Sequence, residues 1–217
     1  MLEVSVVEIA GRSLQVTLSA LGISALLGIP AGVWLAFAHF PGKRIVTILV
    51  YTGMGLPPVL VGLVVYLMLS RSGPLGSLGW LFSMQAMILA QVIIALPLVV
   101  GITMSSVLGV DPALRPQLHT LGATVWQVRR TLLMEARFGV LVGLVAGFGS
   151  ILSEVGAVMI VGGNIEGRTR VLTSAIVLET NRGNFELALA LGAVLLALSF
   201  MTNLLVVLSQ GRLGTSP

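Results

Sequence analysis

Pro116–Glu135 reads PQLHTLGATVWQVRRTLLME, the longest polar interruption in an otherwise apolar chain. A sequence this apolar puts nearly all of itself in lipid, so its largest charged loop is where it can meet a soluble partner. At helical spacing Leu118, Leu121, Val125 and Val128 share one face, while Gln117, Thr124, Gln127 and Arg130 lie elsewhere. Gly122 falls inside that run, where it weakens helix and permits a turn or a close backbone approach. The stretch predicts a short amphipathic helix, a glycine break and a second short helix.

Composition sets the context. Of 217 residues 56% are hydrophobic and 9% charged, with a mean hydropathy of +1.06; soluble domains carry about 25% charged residues. The reading is an all-α integral membrane protein, with residues 1–217 forming one transmembrane domain. The net charge of +4 comes from loop arginines and does not describe a nucleic-acid surface. With no cysteine there is no disulfide and no thiolate chemistry, and His39 and His119 are too far apart to suggest a metal site. Nor can a Ser/His/Asp set or paired intramembrane carboxylates be assembled, and no GxxxxGK[ST] loop is present to hold ATP. We expect no catalytic residue, no metal and no cofactor in this chain. The start, MLEVSVVEIAGR, carries Glu3 and Glu8 before its first arginine, unlike a signal peptide.

Five segments are long and apolar enough to cross a bilayer, which takes about 20 residues. They fall near 13–38, 45–70, 81–107, 138–161 and 187–208, with the polar loop at 109–137 between the third and fourth. In the first, Ala20, Ser24, Gly28 and Gly32 form a small-residue stripe that lets another helix approach. Gly53-Met54-Gly55-Leu56-Pro57-Pro58 cannot be straight helix; it is either a break lining a transport path or a kinked or split helix. Gly139, Gly143 and Gly147 repeat every four residues in the fourth segment, a packing surface that could lie between two chains. Glu154 lies in that same segment, where a carboxylate is costly unless it faces the bundle interior, a wet cavity or a partner. Val171, Leu172, Ala175 and Ile176 make a stripe consistent with a helix lying at the membrane interface.

Orientation follows from charge. Lys43, Arg44, Arg115, Arg129, Arg130, Arg137 and Arg212 lie on one side of this topology; Arg12, Arg71, Arg168, Arg170 and Arg182 lie on the other. The richer side is cytoplasmic by the positive-inside rule, which puts the N-terminus outside and the C-terminus and the polar loop inside.

Two sets of residues carry a family resemblance. The polar loop resembles the cytoplasmic loop of ABC-importer permeases, whose pattern is EAA, three residues, Gly, nine residues and I-x-L-P. Gly122 stands at the glycine, Pro116-Gln117-Leu118 replaces EAA, and Leu132–Glu135 replaces I-x-L-P. Beyond it, Ser153-Glu154-Val155-Gly156-Ala157, Gly163-Asn164-Ile165, Gly167-Arg168-Thr169-Arg170 and Gly183-Asn184-Phe185-Glu186 are similar to the molybdate, tungstate and sulfate branch. The tungstate-type permeases are the most similar of these.

That resemblance implies a type I importer permease fold of five transmembrane helices with a cytoplasmic coupling-helix loop. It also implies a second copy of this chain, two ATPase subunits and an extracytoplasmic oxyanion-binding protein. Gln117, Leu118, Leu121, Gly122 and Trp126 would then enter an ATPase groove, with Arg129 and Arg130 as its electrostatic rim. Glu154 and Asn164 would stand at the path or its gate, Glu154 as a structural acceptor, because a carboxylate repels a dianion. Arg168 and Arg170 would receive the binding protein or guide the released anion. Two rival classes are a proton-coupled carrier using Glu154, which would favour more intramembrane ionisable groups and an internal repeat, and a membrane enzyme.

Overall fold

A computed structural model describes residues 2–213, and among these its regular structure is all helical, with no strand. α1 spans Leu2–Phe37, starting well before the expected Ser13, and Glu8 and Arg12 pair along it at 3.2 Å. The second segment is two helices, α2 (Lys43–Met54) and α3 (Pro58–Leu69), bent by 102° at their junction. α4 (Met84–Leu108) is continuous. α5 (Leu114–Thr120) and α6 (Val125–Glu135) form the polar loop.

The fourth segment departs from expectation. It is not one helix but α7 (Arg137–Leu152) and α8 (Gly156–Gly162), separated at Ser153–Val155. α9 (Leu172–Asn181) and α10 (Phe185–Leu213) complete the chain, and α10 runs past the expected end at Leu208. Among the described residues three helices, α1, α4 and α10, are each long and apolar enough to cross a membrane; counting the bent pairs α2–α3 and α6–α7 gives up to five.

α4 is the central post, with α1 along one side and α7 along another. In lipid there is little hydrophobic gain in pairing apolar helices, so close approach of small residues carries the packing. A Cβ on Gly28 would sit 2.9 Å from Val99, and one on Gly32 would sit 2.7 Å from the Val100 carbonyl, so the α1 stripe faces α4. The α7 stripe meets the same helix: Gly139 lies against Ser106, and a Cβ on Gly143 would be 2.9 Å from Ile102. The expectation that this glycine stripe could lie between two chains is therefore corrected: its partner is α4 of its own chain.

A second correction concerns α9. Its stripe does not lie on a lipid surface: Leu172 and Ala175 are buried against Leu191 of α10 with Ile176 half-buried beside them, and Val171 is buried in the main core. The Leu172 amide donates to Ser13 Oγ at 2.7 Å, fixing α9 to the start of the expected first span.

The bundle has two distinct ends. On α1, Arg12 and Trp34 are separated by 22 residues, about 33 Å at 1.5 Å per residue. Arg12 shares a cavity with Glu166, Arg170 and Arg182, whereas Trp34 shares one with Trp126, Arg129 and Arg130.

Candidate functional site

The site begins at the two helix breaks. Pro57 and Pro58 lack the amide donors that would continue α2, and Pro58 fits the first position of α3. The break between α7 and α8 has a different chemistry. There the Glu154 side chain caps the next helix, its Oε1 accepting from the Ala157 amide at 3.0 Å. Gln91 Nε2 on α4 donates to the Ile151 carbonyl at 3.0 Å, and Thr173 Oγ1 on α9 donates to the Glu154 carbonyl at 3.0 Å. Side chains thus take up the Ala157 amide and the Glu154 carbonyl at the break, and Gln91 adds a second donor to the Ile151 carbonyl, which also accepts from the Glu154 amide at 3.4 Å. This is how irregular backbone survives at membrane depth.

The two breaks face each other. A Cβ on Gly156 would lie 2.5 Å from Val59 Cγ2, and one on Gly62 would lie 2.6 Å from Ala157 Cα. Val59 is 58% exposed and Leu60 49%, and Gly55, Pro57 and Ser153 are exposed with them. Unwound backbone is therefore presented on one open face of the single chain. Neither 45–70 nor 138–167 contains a lysine or arginine, so this surface has no deep cationic well. Glu154 lies half-buried beside it.

Asn164 sits one level further along, in the loop after α8. Its φ is +49°, following Gly163 at +70°, and its Oδ1 is buried with no partner among the described residues. Thr169 holds this loop: its Oγ1 donates to the Gly162 carbonyl at 2.6 Å and accepts from the Ile165 amide at 2.9 Å. Arg168 and Arg170 flank Thr169 but are not an equivalent pair. Arg168 is exposed. Arg170 is folded back, its side chain 15% exposed and 3.3 Å from Glu166.

At the other end the loop has the helix, turn and helix that its sequence predicts. Gly122 takes a φ of +80°, with open space where a side chain would stand. The turn passes to Thr124, whose hydroxyl accepts from the Gln127 amide while the Gln127 side chain accepts from the Thr124 amide at 2.7 Å. That reciprocal cap is legible in the sequence as Thr-x-x-Gln. The single apolar face does not persist through the turn, because Gly122 redirects the chain: Val128 is buried and Leu118 half-buried, but Leu121 is 83% and Val125 61% exposed. Gln117 is also exposed near the turn. Trp126, Arg129 and Arg130 lie along α6, bordering the α1 residues Ile29–Trp34.

Gln91 and Thr173 thus join the site although sequence reasoning gave them no role. For Gln91 the available signal was a lone amide in an apolar segment; for Thr173 there was none, since its partner is 19 positions away.

The fold resembles that of a solved structure. The MetNI methionine ABC transporter in its inward-facing form superimposes with a TM-score of 0.76, covering 93% of each chain at 19% identity. At that identity the likeness defines the fold alone. The chain belongs to the family described as binding-protein-dependent transport system inner membrane component, whose model matches residues 28–215. Among its relatives, a probable anion ABC transporter permease protein of Haloferax volcanii is 46% identical over 92% of this chain and 88% of its own length. The tungstate uptake system permease protein TupB of Peptoclostridium acidaminophilum is 40% identical, over 89% of this chain and 85% of its own.

Proposed function

We propose that this chain is the membrane-spanning half of an ATP-driven importer for a tetrahedral oxyanion, tungstate foremost and molybdate or sulfate after it. The observation that carries the reading is the pair of opposed helix breaks on one open face. Irregular backbone cannot face lipid, so that face must be covered by protein around a watered path. A second copy of this chain, joined through the same face, supplies the cover, with five crossings in each copy. The oxyanion class rests on the relatives, and the breaks suit it: a path without cations lets a dianion pass instead of holding it.

The two ends divide the remaining work. The Gln117, Leu118, Leu121 and Gly122 tip docks in the ATPase subunits in the cytoplasm, with Trp126, Arg129 and Arg130 along α6 behind it. The Asn164, Arg168 and Arg170 end faces outward and meets the binding protein. The count of seven basic residues against five supports that orientation. Glu154 serves as a structural cap at the path and not as a ligand of the anion.

The test is uptake into proteoliposomes holding the chain with its ATPase and binding protein. Labelled tungstate should accumulate only with ATP inside and binding protein outside, and unlabelled molybdate should compete more weakly than tungstate. Uptake driven by a proton gradient without ATP would instead establish a carrier that uses Glu154.

A further inference from the structure

Between α1 and α6, at the end proposed as cytoplasmic, lies a cavity of about 350 Å³ that the transport path does not use. Its walls are apolar, made by Ile29, Pro30 and Val33 of α1 and by Leu133 of α6. Two indoles stand beside them uncovered: Trp34 is 53% exposed and Trp126 73%. Such amphipathic rings prefer the boundary between hydrocarbon and water.

The charged groups at the cavity are Arg129 and Arg130. The ion pairs among the described residues, Glu8–Arg12, Glu166–Arg170 and Glu179–Arg182, leave both without an acidic partner. The carboxylates nearest in sequence, Asp111 and Glu135, line a different cavity, with Ser106 and Gly139. An apolar slot between two helices, indoles at its rim and two guanidiniums without an acidic partner match a molecule with a long apolar tail and an anionic head. The slot is also continuous with bare apolar surface on α1, where Leu26 is 75% and Leu27 53% exposed.

We propose that this groove binds an acidic phospholipid of the surrounding leaflet, an acyl chain lying against Ile29, Val33 and Leu133 and the phosphate meeting Arg129 and Arg130. Guanidinium pairs bind phosphate in bidentate geometry, and basic pockets between transmembrane helices on the cytoplasmic side favour anionic headgroups. Because α6 continues from the Gly122 turn, a bound lipid would brace the helix that carries the loop tip. The leaflet assignment rests on the proposed orientation; the binding itself does not.

Brominated lipids quench nearby tryptophans and give a direct readout. The chain has three tryptophans, so Trp80→Phe leaves only the two at the groove, and Trp34→Phe/Trp126→Phe leaves only the distant one. The full chain in vesicles of symmetric composition, with either phosphatidylglycerol or phosphatidylcholine brominated at equal mole fraction, is then compared. Trp80→Phe should show at least an about fivefold preference for the acidic lipid. Adding Arg129→Gln/Arg130→Gln should abolish it, as should high salt on the unaltered arginines. Equal quenching by the two lipids would overturn the proposal, as would a preference that ignores salt or one that is matched at Trp80. Symmetric vesicles make the result independent of orientation and of transport, so its failure would leave the importer reading standing, and the reverse.

Discussion

Gln91 on α4 donates its side-chain amide to the carbonyl of Ile151, 60 positions away, at the last turn of α7. The bond is buried, and it joins the central post to the lip of the break that Glu154 caps. Packing alone would hold α7 against α4; this bond fixes where α7 stops.

Replacing Gln91 by leucine keeps the volume but leaves the Ile151 carbonyl with only the longer, 3.4 Å bond from the Glu154 amide, and it also removes Gln91 Oε1, which is buried without a partner among the described residues. The loss is that of one ordinary hydrogen bond, about 0.5–1.5 kcal/mol. We expect a lower unfolding midpoint in detergent and reduced uptake by the assembled importer. An unchanged midpoint together with full uptake would show that the break holds without α4.

The Glu154 cap separates shape from charge. Glu154→Gln keeps an oxygen that can accept from Ala157, so ATP-dependent uptake should stay near normal and indifferent to the proton gradient. Glu154→Leu leaves that buried amide unbonded, a cost of about 1–3 kcal/mol, and should lower stability. Loss of uptake in a well-assembled Gln variant would mean that the titratable proton matters.

Gly122 should respond to backbone conformation and not to bulk. Nothing stands within 4 Å of the place a Cβ would occupy, yet φ is +80°. A β-branched residue there costs on the order of 1–3 kcal/mol of strain, whereas asparagine tolerates left-handed backbone far better. Gly122→Val should therefore cut transport-coupled ATP hydrolysis in the reconstituted importer, and Gly122→Asn should retain most of it. Equal loss in both would point instead to a partner pressed against the glycine.

Gly143→Leu should unsettle the single chain before it affects any assembly. The new side chain meets Ile102, and overpacking costs about 1–3 kcal/mol. Ile102→Ala added to it should recover part of the loss, read as thermal unfolding. Absence of any rescue would place the true neighbour elsewhere.

Much of this was legible in the chain. The double proline at 57–58 announces its own break because missing donors are a local property, and Gly122 with Thr124 and Gln127 encodes a turn and a cap within a few positions. The break at Ser153–Val155 has no proline to announce it, and Ser153 and Glu154 sit between apolar stretches that read as one span. Glycine spacing declares a close approach without naming the partner, so Gly139, Gly143 and Gly147 could be assigned to a packing face but not to α4. Arg168 and Arg170 look alike on paper; only the fold turns Arg170 back toward Glu166.

The central claim is that the two breaks border a watered path. The chain contains no cysteine, which allows a clean test by single replacements at Ser153 and Leu27. Both positions are exposed on the single chain, Leu27 on the α1 surface that should meet lipid. In the reconstituted importer, Ser153→Cys should react with a charged, water-soluble thiol reagent at a rate that changes when ATP is bound. Leu27→Cys should stay inert. An unreactive Ser153→Cys, or one that reacts no faster than Leu27→Cys in every nucleotide state, would contradict the account.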